Sequence, residues 1–198
     1  MIIHDKSVAE MPKLPLDISS LTDDQFFHFC AVNQGLRIER TTEGKIIIMS
    51  PTGGETGRRN AEINRQLANW AKQDGTGIVF DSNTEFRLPN GASRSPDASW
   101  VLMSRWEALP EPEREKFPPL CPDFVLELLS FSDNLEETKL KMEEYLGNGA
   151  RLGWLIDPKN RRAFVYTCAG VQVLEDPSQL SGNPVLPGFR LDLREIFS

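Results

Sequence analysis

Apolar residues in this chain fall into short runs separated by proline, glycine and acidic turns, with two stretches long enough for sustained helices. Residues 1–20 carry Pro12, Pro15 and no sustained period, and read as an extended arm. Thr22-Asp23-Asp24-Gln25 has the composition of an N-cap and first turn, leading into a short helix over Phe26–Val32 that ends at Asn33-Gln34-Gly35. Leu36–Arg40 and Lys45–Met49 flank Thr41-Thr42-Glu43-Gly44 and predict a β-hairpin. Its second strand has Ile46, Ile47 and Ile48 in succession, which predicts cover on both faces. A helix is expected from about Glu55 to Gln73, its apolar stripe being Ile63, Leu67, Trp70 and Ala71. Strands follow near Gly77–Phe80 and Thr84–Leu88, then a Pro89-Asn90-Gly91 turn.

The second half has the clearer topology. Asp97 opens the apolar run Ala98–Met103, and Arg105–Lys116 is charged and proline-broken, as a short helix and surface loop would be. Asp123–Ser130 is a strand and Asn134–Leu146 a helix stopped by Gly147-Asn148-Gly149. Arg151–Ile156, Ala163–Thr167 and Val171–Leu174 are strands, with Asp157–Asn160 as the first turn between them, and Val185–Leu193 closes the chain. A strand–helix–strand order around the 134–146 helix is a crossover unit, so the fold class is α/β with a central mixed sheet.

Two acids break the apolar pattern. Asp97 stands behind Pro96 at a strand start, and Glu127 interrupts Phe124-Val125-Leu126 and Leu128-Leu129. An ionised carboxylate there is costly unless a cation or donor compensates it. On neighbouring strands the pair would form the hard, oxygen-rich site that magnesium or manganese prefers. A turn-capping Asp97 and a solvent-facing Glu127 are the plainer alternatives, although failed alternation around Glu127 speaks against the second. In the following helix Glu137, Lys141 and Tyr145 are spaced i, i+4, i+8. That spacing by itself favours an ordinary Glu–Lys surface pair over the alternative, a lysine leaning over the Glu127 strand to stabilise developing negative charge. Glu39 has the pattern of a hairpin-surface acid that could extend the cluster. Glu55, Asn60 and Glu62 fit a solvated helix face, Trp100 and Trp154 fit core, and His4 and His28 are isolated. The glycines at 53 and 54 lack the Gly-Lys-Ser/Thr of a phosphate loop.

Composition narrows the classes. With 198 residues and 39% hydrophobic content the chain fits one domain with a substantial core. No apolar run approaches a membrane span or a secretory signal, so a soluble cytoplasmic protein is expected. Cys30, Cys121 and Cys168 are few and widely separated, consistent with reduced, mostly buried thiols. A net charge of −7 disfavours a non-specific nucleic-acid coat, while leaving room for a local basic groove built from residues such as Arg58, Arg59 and Arg65. A glycosidase also uses paired acids, but no aromatic sugar platform stands beside these.

Ser95-Pro96-Asp97, Pro122–Ser130, Lys141-x-x-x-Tyr145 and Gly153–Pro158 together resemble the Uma-two family of endonuclease-like proteins, numerous in cyanobacteria. Glu39, Gly44, Met49-Ser50-Pro51 and Leu186–Phe189 share the resemblance, which extends from about Leu21 onward. It implies a restriction-endonuclease-like core of the PD-(D/E)xK superfamily, as a single domain over 21–198, with an N-terminal helix and hairpin. It further implies a nuclease acting on nucleic acid, DNA first, with Mg2+ or Mn2+ held by Asp97 and Glu127. Leu129 stands where that pattern wants lysine, and the resemblance assigns the role to Lys141, with Glu39 as accessory acid. A homodimer is expected for double-strand cutting. The alternatives are an inactive nucleic-acid-binding module of this fold and a structural dimer.

Overall fold

The computed structural model describes residues 21–198, so the expected arm at 1–20, with His4, lies outside the described residues. Helix α1 (Asp23–Val32) starts where its signals place it, the Thr22 side chain and Gln25 forming a capping box. Strands β1 (Arg37–Arg40) and β2 (Ile46–Met49) form the hairpin. Helix α2 (Gly54–Asp74) buries Ile63, Leu67 and Ala71, three members of the expected stripe. There follow β3 (Gly77–Asp81), β4 (Phe86–Arg87), β5 (Ser93–Arg94) and β6 (Ala98–Leu102), then short helices α3 (Met103–Glu107) and α4 (Glu111–Arg114). Strand β7 (Phe124–Leu128), α5 (Leu135–Gly147) and β8 (Leu152–Asp157) form the crossover. The chain ends through β9 (Arg162–Thr167), β10 (Gly170–Glu175), β11 (Gln179–Ser181) and β12 (Arg190–Asp192).

The central sheet has the order β10-β9-β8-β7-β6-β3, with β7 and β8 parallel and its other neighbours antiparallel. This is the α/β architecture expected, a mixed sheet between helices. Trp100, Phe124, Leu126, Leu128 and Trp154 pack with α2 and the 180–197 segment on one face. Val101, Val125 and Leu155 pack with Met142 and Tyr145 of α5 on the other. Gly153 lets α5 approach, since a Cβ there would come within 2.5 Å of Met142 Cε. A second sheet, β2-β1-β5-β4, carries Glu39 to the end of the first.

Three expectations change. Among the described residues the isoleucine strand is not covered on both faces: β2 is the edge of the smaller sheet, and Ile48 is 58% exposed. The Thr84–Leu88 strand shrinks to two residues, and β11–β12 form a small hairpin too short to show periodicity. The thiols are free, but only Cys121 is buried; Cys30 is half-buried and Cys168, in the β9–β10 turn, is exposed.

Candidate active site

The two-sided burial of β7 places Glu127. Phe124, Leu126 and Leu128 join the α2 face and Val125 the α5 face, so alternation puts Glu127 toward α5 at the strand end. Apolar neighbours on both sides of Glu127 reflect two covered faces rather than lost alternation. Asp97 lies on the same face. Ala98 pairs with Leu126, and one further antiparallel step sets Asp97 opposite Glu127. The Leu128 N–H donates to Asp97 Oδ2 at 2.9 Å, locking one oxygen, while Arg37 Nη1 stands 3.9 Å from Oδ1.

Helix α5 delivers the cation. Its first turn is capped by the Asn134 side chain, which accepts from Glu136 and Glu137 N–H. Docking through Met142 and Tyr145 turns Lys141 inward, so the expected surface pair with Glu137 does not form among the described residues. Instead, Lys141 Nζ donates to Glu39 Oε1 at 2.8 Å and stands 2.9 Å from Glu127 Oε1. The Tyr145 hydroxyl donates to that same Glu127 oxygen at 3.0 Å.

Glu39 is no hairpin-surface acid. It is 2% exposed and accepts from Lys141, the Ser95 N–H at 2.9 Å and Arg94 Nη1 at 3.2 Å. Arg94 continues the chain of charges to Glu144, with Nε at 2.6 Å from Oε2. Burial opposes ionisation at every carboxyl here, and the partners decide the outcome. At Glu127 burial, with repulsion from Asp97 and Glu39, outweighs the Lys141 charge and pushes the carboxyl up to about 7. Burial likewise raises Asp97 against the Leu128 N–H, Lys141 and Arg37. At Glu39 burial is outweighed by Lys141, the Ser95 N–H and Arg94, and the carboxyl ends below its usual range. Burial disfavours the Lys141 ammonium, but Glu127 and Glu39 overcome it and raise its pKa, so the ammonium persists.

Arg37, Asp97, Glu127 and Lys141 line an open cavity of about 1080 Å³, with Ile48, Phe131 and Lys159 elsewhere on its wall. Glu39 and Tyr145 are not part of that wall, so their influence reaches it through Lys141 and Glu127. Asp97 Oδ1 and Glu127 Oε2 accept no hydrogen bond from a described residue, which leaves two hard oxygens open to a cation. Among the described residues no three His, Cys, Asp or Glu groups are arranged to share an ion. A cation here would therefore retain several waters, as Mg2+ commonly does.

The supporting cast differs from expectation. Asn60 was expected on a solvated face, yet it lines the cavity with a buried Oδ1 that has no partner among the described residues, and Asn64 Nδ2 donates to the Asp97 carbonyl at 3.0 Å. Arg58 is held by Glu55 and the Glu195 carbonyl, and Arg65 by Glu62; of the three expected basic-groove arginines only Arg59 lines the cavity. Reasoning from the sequence missed Arg37, Arg94 and Glu144. Arg94 had a signal, standing directly before the Ser95-Pro96-Asp97 motif.

A family model described as "Putative restriction endonuclease", Uma2, matches residues 23–194. The chain belongs to the Uma2 family. Its fold is also that of a crystal structure from Anabaena variabilis, described as a "putative nuclease belonging to DUF820". The two agree with a TM-score of 0.71 at 22% identity, over 89% of this chain and 97% of the other. No curated protein matches the chain significantly. In this Uma2 member the ammonium beside Glu127 comes from α5, while Leu129, two residues past the acid, supplies none.

Proposed function

We propose that this protein is a divalent-metal-dependent endonuclease hydrolysing phosphodiester bonds, with DNA as its substrate. The observation carrying this reading is the meeting of Asp97, Glu127 and Lys141 on one cavity wall in a chain of the Uma2 family. Asp97 and Glu127 would hold Mg2+ or Mn2+, their donor set being the hard oxygens such ions take. When bound, the ion supplies Lewis acidity toward the phosphoryl oxygens and lowers the pKa of an attacking water.

The chain's own groups do the rest. Lys141, kept protonated by its two carboxylate neighbours, offsets charge developing on the phosphate. Glu39 and Tyr145 are positioning residues: the first fixes the ammonium, the second fixes the Glu127 carboxylate. Arg37, Arg59 and Lys159 are the cations on the cavity wall available to flanking phosphates. A twofold dimer would present two such sites to opposite strands.

The test is a cleavage screen over single- and double-stranded DNA and RNA with Mg2+ or Mn2+ and with chelator. Metal-dependent scission lost in Asp97→Asn and Glu127→Gln is expected; scission surviving both substitutions would sink the assignment. One feature favours a second reading, an inactive binding module: Lys141 pairs with both Glu39 and Glu127, as a purely structural ion-pair network would. Nucleic-acid binding with no turnover under any metal would select it.

A further inference from the structure

Every phenylalanine, tryptophan and tyrosine ring in the chain is buried or half-buried, with one exception. Phe131 is 94% exposed, and it stands on the wall of the cavity lined by Asp97, Glu127 and Lys141. A lone apolar residue is ordinary on a protein surface, so exposure by itself assigns nothing. Place and support set this ring apart. Phe131 lies four residues past Glu127, a span of at most about 14 Å, or roughly four stacked nucleotides. Its turn is braced, the Leu129 N–H donating to the Ile156 carbonyl at 2.9 Å and the Ser130 N–H to Asp133 Oδ2 at 2.7 Å. On the same wall, Lys159 holds its ammonium 5.7 Å from the centre of the ring.

We propose that Phe131 stacks on an unpaired base of the substrate, so that the site takes unpaired rather than fully paired DNA. The inference rests on the nuclease function proposed above and names its substrate class. Every base has a π-face that stacks on an aromatic ring whatever the sequence. In a duplex those faces are covered by the neighbouring pairs, and the grooves present only base edges. An almost fully exposed ring beside the acids is therefore matched by a base that has left the stack.

The same wall has the other parts of a single-strand groove. Arg37, Arg59 and Lys159 face backbone phosphates, while Phe131 and Ile48, 58% exposed, offer apolar surface to the bases. A base held on Phe131 fixes the register of the strand against Asp97 and Glu127, a few nucleotides away. A protein partner suits this ring less well, because covering it would close the cavity through which a substrate reaches the acids.

The experiment uses the full chain and three probes: a labelled single-stranded DNA oligonucleotide, its fully abasic counterpart, and the oligonucleotide paired with its complement. Fluorescence anisotropy in chelator gives binding, and the same probes with Mn2+ give cleavage. The wild type should bind the single strand roughly tenfold more tightly than the abasic strand, and should bind and cut it in preference to the duplex. Phe131→Ala should lose the margin over the abasic strand and raise KM for the single strand, while Phe131→Trp keeps both. The exposed ring packs against little, so the alanine variant should melt with the wild type, which separates lost stacking from lost structure. A margin unchanged in Phe131→Ala, or preferred binding and cleavage of the duplex, overturns the proposal and leaves the nuclease reading standing. The expected margin with no cleavage of any probe upholds the stacking role and overturns turnover alone. Silence from all three probes in both assays overturns the two together.

Discussion

Glu39 and Glu85 are both buried glutamates close to the junction of the two sheets, and they meet opposite fates. Glu39 has three donors, among them an ammonium and a guanidinium, and its carboxyl falls below the usual range. Glu85 has no donor among the described residues and is lifted to about 9. Burial pushes both upward, so the contrast isolates what partners contribute. A buried acid with a full set of donors is a fixed charge that holds a site in shape. A buried acid without them is a cost to the fold.

The sharpest way to break this contrast is to remove the shared cation. Lys141→Ala leaves Glu39 and Glu127 buried without their ammonium, and should lower unfolding free energy by about 3–5 kcal/mol. Denaturant titration measures this, and a loss under about 1 kcal/mol would mean that the inward-facing network contributes little. Activity must then be compared in the folded fraction, because lost cleavage and lost stability travel together in this variant.

Glu85→Gln tests the other half of the contrast through pH. The folded-state pKa of Glu85 is raised above its unfolded value, so its cost is absent below about 4.5, grows as pH rises, and is complete above about 9. Wild type and Glu85→Gln should therefore melt nearly alike near pH 5, with the variant gaining about 3–5 kcal/mol by pH 8. A gap that does not widen with pH would show that Glu85 is not the titrating group.

A metal comes next. Mn2+ at about a hundredfold excess over its dissociation constant should stabilise the native protein by about 2.7 kcal/mol, seen as a raised melting temperature. Asp97→Asn should remove most of that rise and Glu85→Gln none of it. A rise that survives Asp97→Asn places the ion elsewhere.

The smallest effect is the control. Lys139 lies two residues before Lys141, but pairs with the exposed Glu136 and lies over the Phe164 ring. Lys139→Ala should cost under about 1 kcal/mol and leave cleavage unchanged. Equal effects from the two alanines would erase the distinction between the helix's inward and outward lysines.

Much of the fold was legible in the sequence because its signals are local. Thr22 and Asn134 cap their helices from side chains within three residues, and the stripe of α2 repeats at helical spacing. The lone acids in apolar strands were visible for the same reason, and the order of short motifs carried the family and the α/β architecture. Tertiary structure alone decided what depends on distant partners. Three successive isoleucines look buried, yet among the described residues nothing covers Ile48, which is exposed. Spacing offered Glu137 to Lys141, while the docked helix gives it Glu39, 102 residues away. Glu85 carried no sequence signal at all. Periodicity reports which residues avoid water, but partners for a buried charge come from whichever strands and helices the packing brings together, and that is settled only when the whole sheet is assembled.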